Sequence, residues 1–229
     1  MKNLPSCPKV VFFDWDGTLV DTAAQGYKII SEVMRQLGHT FITFEAYLDS
    51  PSLSLKDYFA QILMPSEWKK GVDLFYQIAR EYRLEALSFF SQSPSILELL
   101  QKNNIPMGIV SNKESFFLNL EVDHFGWRHF FKVIVGSGEA KEDKPSAAPL
   151  LYALEKASLK PGSEVWFVGD SQVDMSCAHK AGCYPVSVGL HASLYQEAPI
   201  LQANNCAEFY AMLVEIFEKN SQNEKTNCS

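Results

Sequence analysis

Positive charge is scarce in this chain. Its 229 residues hold 20 Lys and Arg against 27 Asp and Glu, a formal net charge of -7. That balance leaves no electrostatic footprint for nucleic acid or for an anionic membrane surface. An anionic ligand would have to be met by a few local cations or by a metal ion. Long apolar runs are lacking too, since no stretch approaches the ~18 residues that a membrane span requires. The five cysteines (Cys7, Cys177, Cys183, Cys206 and Cys228) are odd in number and form no C-x-x-C pair. This argues against a disulfide framework or a zinc site and for a reducing compartment. The opening MKNLPSCPK has no apolar segment of the signal-peptide kind. Internal repeats and low-complexity segments are also missing. The expected setting is the cytoplasm, with no nucleic-acid and no membrane partner.

Hydrophobic residues make up 47% of the chain and charged residues 21%, enough apolar material for a real core. Short apolar runs recur at 10–13, 105–110, 133–135, 165–168 and 185–188. The first suits a strand buried on both faces, and the others are strand-like. Helical patterns lie between most of them. Ser93-Pro94 reads as an N-cap and a first-turn proline, and Pro145 as the start of a second helix. Residues 175–181 read as a third, ended by Gly182, and 209–217 as a last amphipathic one. Strands alternating with helices predict an α/β fold, a Rossmann-like parallel sheet with helices on both faces. The stretch 22–92 is too long for one crossover and carries helical periodicity, notably Tyr27, Ile30, Met34 and Leu37 before Gly38. Further helices are expected over 55–63 and 68–84. We therefore expect an α/β core domain from 1–21 and 93–229, with a helical domain inserted over 22–92. The aromatics of that insertion (Tyr58, Phe59, Trp68, Phe75, Tyr76 and Tyr82) read as core residues.

In open parallel sheets function gathers at the carboxyl ends of the strands. The first run, in KVVFFDWDGTLVDT, ends on Asp14 and Asp16, with Gly17 and Thr18 following. Two carboxylates so close either begin a surface loop or flank a cation. The second run leads to Ser111, Asn112 and Lys113, the third through a loop to Lys144, and the fourth to Asp170, with Asp174 a helical turn beyond. Carboxylates, a hydroxyl and a lysine on one sheet edge make physical sense for phosphoryl transfer. Carboxylates hold a hard cation such as Mg²⁺, which offsets repulsion between an anionic nucleophile and a phosphate. An aspartate can attack phosphorus while a neighbour moves protons.

DWDGTLVD, VSNK, the lysine of KPSAAPLLYALEKA and VGDSQVDMSCAHKAG resemble, in order, the motifs of the haloacid dehalogenase-like hydrolase superfamily. The likeness covers the sheet domain from Val10 to about Gly189, and the insertion resembles the cap of the phosphoglycolate-phosphatase-like branch. The resemblance implies a Mg²⁺-dependent phosphatase that acts on a small phosphorylated metabolite through an aspartyl-phosphate. It makes Asp14 the nucleophile and a metal ligand. Asp16 becomes the general acid/base, with its backbone carbonyl on the metal. Thr18 and Ser111 would hold the phosphoryl group, Asn112 would add a backbone donor, and Lys144 would stabilise Asp14 and the phosphate. Asp170 would bind metal directly and Asp174 in support. Lys56, in SPSLSLKDYF, lies where relatives often place a basic substrate contact; the alternative is a solvated helix lysine.

Two departures stand out. Ser93-Pro94-Ser95 replaces a Pro-Gly pair that shapes the cap hinge in many relatives, and Trp15 fills a position that is often smaller, where it is expected to pack beneath the loop. Asp16 argues against a dehalogenase and against phosphonate cleavage. A sugar phosphomutase shares every core motif, and a catalytically inactive binding or regulatory protein is the alternative of another class. The resemblance fits either a monomer or a homodimer.

Overall fold

The computed structural model describes residues 5–50, 53–81, 84–189 and 196–227, with side chains to residue 222. The chain enters through strand β1 (Val10–Phe13), pairs briefly at β2 (Val20–Asp21), and leaves for helices α1 (Ala23–Gln36), α2 (Phe44–Leu48), α3 (Leu55–Ile62) and α4 (Trp68–Ala79). It returns through β3 (Ser88–Phe89) and continues as α5 (Ser93–Lys102), β4 (Met107–Glu114), α6 (Ser115–His124) and β5 (Phe131–Ser137). There follow α7 (Ala148–Lys156), β6 (Val165–Gly169), α8 (Gln172–Lys180), β7 (Tyr184–Val188), β8 (Leu201–Ala203) and α9 (Cys206–Asn227).

The main sheet has six strands in the order β5-β4-β1-β6-β7-β8, and every pairing in it is parallel. Strand side chains alternate between faces, and β1 shows the consequence. Val11 and Phe13 join the cluster formed with Ile96, Leu97 and Leu100 of α5 and Phe209 and Leu213 of α9. Val10 and Phe12 join the opposite cluster, with Leu150 and Leu154 of α7 and Cys177 of α8. Both faces are therefore covered, as expected of a run of Val and Phe with no polar break.

Helices α1, α3 and α4 bury a third cluster of their own, centred on Ile30, Val33, Met34, Tyr58 and Phe59. Trp68 and Phe75 pack against it, as expected of core aromatics. Tyr76 departs from that expectation: its ring stacks on Phe117 of α6 with centroids 5.4 Å apart. Tyr82 lies outside the described residues. Where the chain leaves and re-enters the sheet domain, β2 and β3 pair antiparallel, Val20 with Phe89 and Asp21 with Ser88. Among the described residues no helix is long and apolar enough to cross a membrane.

Several boundaries differ from expectation for local reasons. Gln92, not Ser93, is the N-cap of α5, because the Ser93 hydroxyl donates to the Leu19 carbonyl at 2.8 Å. Ser93 thus sits where the Pro-Gly pair was missed and ties the returning chain to the departing one. Lys144-Pro145 lies in the loop ahead of α7, not at its start. The residue before a proline is held away from helical geometry, and it is Pro149 that occupies the first turn. Strand β4 begins at Met107 and runs on through Ser111, Asn112 and Lys113 to Glu114, with its pairing to β5 shifted between Val110 and Glu114. Helix α4 stops at Ala79, short of 84, and α9 extends well beyond 209–217.

Gly108, the second residue of β4, shows how tightly the layers meet. A Cβ there would stand 2.5 and 2.6 Å from ring carbons of Phe12, itself fully buried. Gly108→Ala is expected to cost about 1–3 kcal/mol, the usual penalty for overpacking. It should lower the urea midpoint at unchanged slope.

Candidate active site

Parallel pairing brings the ends of β1 and β6 together: Phe13 registers with Val168, and the Asp14 amide donates to the Val168 carbonyl at 2.8 Å. Asp14 and Asp170 therefore emerge side by side. Beyond Asp14 the chain turns around the Trp15 carbonyl, which accepts from the amides of Leu19 and Val20 at 3.1 Å each. Gly17 makes the turn with φ +79°, in the left-handed region that favours glycine. A Cβ on Gly17 would collide with the Asp170 carboxylate. Asp174 follows on α8, where it accepts from the Ser171 amide at 3.1 Å and hydroxyl at 2.6 Å as half of a capping box.

Lys144 joins these strands' ends. Its ammonium donates to Asp14 Oδ1 at 2.6 Å and Asp174 Oδ1 at 2.7 Å, and all three residues are buried. The lysine's backbone is clamped in turn. Asn112 at the end of β4 accepts from the Lys144 amide and donates to its carbonyl, both at 2.9 Å. One carboxylate oxygen from each of Asp14, Asp170 and Asp174 lies within 4.8 Å of the other two. Burial pushes the Asp14 carboxyl up to about 7; Lys144 opposes that, while Asp174 and Asp16 add to it. Asp170 is raised well above the carboxylate range, first by burial and then by the charges of Asp174 and Asp14. Burial works against the charge of Lys144, yet the two aspartates hold its pKa above the usual lysine range. Crowded oxygen donors that resist ionising together fit a hard divalent cation, which would favour the ionised forms.

A second network stands beside the first. Asp16 Oδ1 accepts from the Thr22 hydroxyl and from Lys113 Nζ, each at 2.6 Å. Lys113 also donates to both oxygens of Glu121 at 2.8 and 2.7 Å, and Glu121 Oε2 accepts from Trp15 Nε1 at 2.7 Å. Trp15 is fully buried, edge-on to Trp127, beneath its loop. Burial raises the Glu121 carboxyl and Lys113 opposes it, while Asp16 and Glu121 lift Lys113 against its own burial.

These groups open onto a cavity of about 530 Å³ between the sheet edge and the helical layer. Asp14, Asp16, Ser111, Asn112, Lys144 and Asp170 line it. Thr18 does not: its hydroxyl is turned to Asp170 Oδ1, at 3.2 Å, behind the wall. Asp174 is buried behind Lys144 with both oxygens engaged. Lys56 is exposed on α3 and does not line the cavity; Leu55 and Tyr58 are the α3 residues that do. The cation that the helical layer does present there is Arg80, just past α4. Lys113 is expected at this sheet edge but with no role of its own, and Glu121 is not expected at all. A signal existed for Glu121: it shares the buried stripe of α6 with Leu118 and Val122, and a carboxylate on such a stripe needs a partner.

A family model described as haloacid dehalogenase-like hydrolase matches residues 11–188. A phosphoglycolate phosphatase of Chromobacterium violaceum is 27% identical over 214 residues, covering 90% of this chain and 96% of its own. One from Vibrio cholerae is 26% identical over 214 residues, covering 85% and 89%. Among solved structures, a HAD-superfamily hydrolase from Ehrlichia chaffeensis is 31% identical with a TM-score of 0.65, covering 93% of this chain and 99% of that one. A predicted phosphatase from Clostridium acetobutylicum has a TM-score of 0.82 at 19% identity, covering 92% and 100%, a likeness of fold.

The raised carboxyl of Asp14 sets a pH dependence. It ionises at an ordinary 3.8 when free and near 7 in the fold, so the folded state holds this proton more tightly. Its ionisation therefore costs nothing below about pH 4 and costs increasing stability as pH rises to about 7. Asp14→Asn, nearly isosteric, removes that cost. In chelator, the variant is expected to melt at least ~3 °C above wild type near pH 7.5, a gap that should shrink to about a quarter near pH 4.5. Parallel melting curves at both pH values would count against this account.

Proposed function

The chain belongs to the haloacid dehalogenase-like hydrolase family, and from that premise we propose that it hydrolyses a phosphate monoester through a covalent phospho-Asp14. The observation that carries this reading is the buried Asp14–Lys144–Asp174 arrangement beside Asp170, at the wall of a cavity. Its relatives' names, phosphoglycolate phosphatase, support a phosphatase of that general kind.

Asp14, the Asp16 backbone carbonyl and Asp170 would hold a divalent metal, Mg²⁺ in our reading, with Asp174 in support. Bound there, the metal supplies charge that lets two anions meet. Asp14 attacks phosphorus and the bond to the alcohol oxygen breaks, with Asp16 giving that oxygen its proton. Water then attacks the phospho-aspartate, Asp16 takes a proton from it, and inorganic phosphate leaves. Lys144 holds Asp14 aligned and offsets charge on the phosphoryl oxygens. Ser111, lining the same wall, donates to those oxygens. Thr18 serves by holding Asp170, a different part from direct phosphoryl contact. Asp16 must exchange Lys113 or Thr22 for the leaving group, which calls for movement of the helical layer. We take residues 22–92 as a cap that moves about the β2–β3 crossing, near Asp21–Ala24 and Ser88–Ser93. Free thiols at Cys7, Cys177, Cys183 and Cys206 suit a cytoplasmic setting for this reaction.

Hydrolysis of 4-nitrophenyl phosphate should require Mg²⁺ and stop in chelator, and excess Ca²⁺ should inhibit it. Asp14→Asn should lower turnover by on the order of 10⁴ or more while the protein stays folded. Normal turnover in a folded variant would remove Asp14 as nucleophile.

Asp16→Asn separates its two roles. A nitrophenolate leaves without a proton, whereas an alkoxide needs one. kcat/KM should fall ~10²–10⁴-fold for alkyl phosphates and much less for 4-nitrophenyl phosphate. An equal fall for both leaving groups, with no trapped phosphoenzyme, would leave Asp16 without the proton shuttle.

A further inference from the structure

We infer that the alcohol released by this site carries a flat ring with a hydrogen-bond donor on its edge, rather than being a two-carbon hydroxy acid. This rests on the phosphatase reading and adds the substrate class to it. Size comes first. Small-molecule sites that bury a drug-sized ligand run to about 300–1,000 Å³, and this cavity, at about 530 Å³, lies within that range. A two-carbon acid ester would leave most of it to water.

The wall chemistry points the same way. The helical layer lines the cavity with Tyr47, Tyr58, Phe75 and Tyr76, and α6 lines it with Phe116 and Phe117. The Tyr76–Phe117 stack, with ring planes 9° apart, joins the two layers. Phe116 stands edge-on to Phe117 at 5.3 Å and is 58% exposed, an apolar face with little covering it. Aromatic walls favour a ring that can stack or meet them edge-on.

Two polar atoms specify the edge of that ring. The Gln25 side-chain oxygen and the Tyr58 hydroxyl are buried with no hydrogen-bond partner among the described residues, and both residues line the cavity. Leaving such groups unmatched is costly. Neither atom has open surface in the cavity as it stands, so a ligand N–H or O–H would reach the amide oxygen, or the phenol, as the helical layer moves with the substrate. A second anion finds little welcome. Lys144 is held by Asp14 and Asp174, Lys113 by Asp16 and Glu121, and Glu114 and Glu121 are themselves part of the wall. Arg80, exposed, is the remaining lining cation among the described residues.

The test compares kcat/KM for phosphoglycolate, n-propyl phosphate, benzyl phosphate and 3-hydroxybenzyl phosphate with the full chain in Mg²⁺. Propanol and benzyl alcohol are leaving groups of similar acidity, so a difference between them reports binding of the ring. Benzyl phosphate is expected to exceed n-propyl phosphate and phosphoglycolate at least tenfold. The 3-hydroxy compound should gain about fivefold more, the scale of one added hydrogen bond. Tyr58→Phe together with Gln25→Leu should erase that gain and leave benzyl phosphate ahead of n-propyl phosphate. Tyr58→Phe removes only an unpartnered hydroxyl, so folding is not at stake there. Phosphoglycolate turned over as well as benzyl phosphate would overturn the inference with the phosphatase reading intact. So would equal rates for propyl and benzyl, or a 3-hydroxy gain that is missing or survives the double variant. If even 4-nitrophenyl phosphate is untouched, the phosphatase reading fails first and takes this one with it.

Discussion

Asp14, Asp170 and Asp174 crowd around one buried lysine, and the sheet edge is organised around their repulsion. Parallel register between β1 and β6 places Asp14 beside Asp170, and the capping box of α8 turns Asp174 inward. Lys144 is the cation that makes this tolerable, and it reaches two of the three at 2.6 and 2.7 Å. Its position depends on Asn112, which spans 32 residues of sequence to clamp the lysine's backbone at both ends. The ends of β4, β1 and β6 and the loop before α7 are thus fixed by one set of charges. Buried ion pairs seldom add stability over well-packed apolar groups, because desolvation offsets the attraction. Such a cluster is poor economy for folding alone. Three carboxylates against one lysine leave the cluster short of positive charge, which fits the cation proposed for it.

Much of this was legible because its carriers are local. A run of Val and Phe ending in Asp14 and Asp16, or in Asp170 with Asp174 a turn later, announces both a buried parallel strand and what stands at its carboxyl end. Lys144 follows from the same logic, though it lies in the loop before α7 and not at a helix start, since a residue before proline resists helical geometry. The pieces that escaped are defined by partners far along the chain. Strands β2, β3 and β8 have two or three residues each, too few for a period to show. Thr18 carries no mark saying that its hydroxyl turns to Asp170; the left-handed turn at Gly17 decides that. Position in the chain does not tell which side of α3 faces the cavity; the packing turns Leu55 and Tyr58 to it and leaves Lys56 exposed.

Lys113 and Glu121 illustrate the harder case. They are eight residues apart, one at a strand end and one two turns into α6, and the contact between them exists only once α6 folds back on the sheet. Together they repeat the device of Lys144 with different partners: one buried lysine between two carboxylates. The first pair of carboxylates belongs to the cluster with Asp170 that could hold a metal ion. The second pairs Asp16 with a structural glutamate and, through Trp15, with the aromatic core under the loop. Asp14 and Asp16, two residues apart in sequence, are therefore held by separate lysines, each with its own set of partners.

The same loop also receives both chain crossings. Thr22, the N-cap of α1, donates to Asp16 at 2.6 Å, while the Leu19 carbonyl accepts from the Ser93 hydroxyl at 2.8 Å and the Phe90 amide at 3.2 Å. Any rotation of the helical layer about the β2–β3 ribbon must pass through Thr22, and so through the group that holds Asp16. Lys113, by contrast, is anchored to α6 in the sheet domain and stays behind. Movement of the cap would then change one of the two bonds to Asp16 and leave the other. A carboxylate freed on one side and held on the other keeps its place while gaining room for a leaving oxygen. If Asp16 carries the proton as proposed, geometry of this kind would couple entry of a substrate to its readiness through the shared hydrogen bond with Thr22.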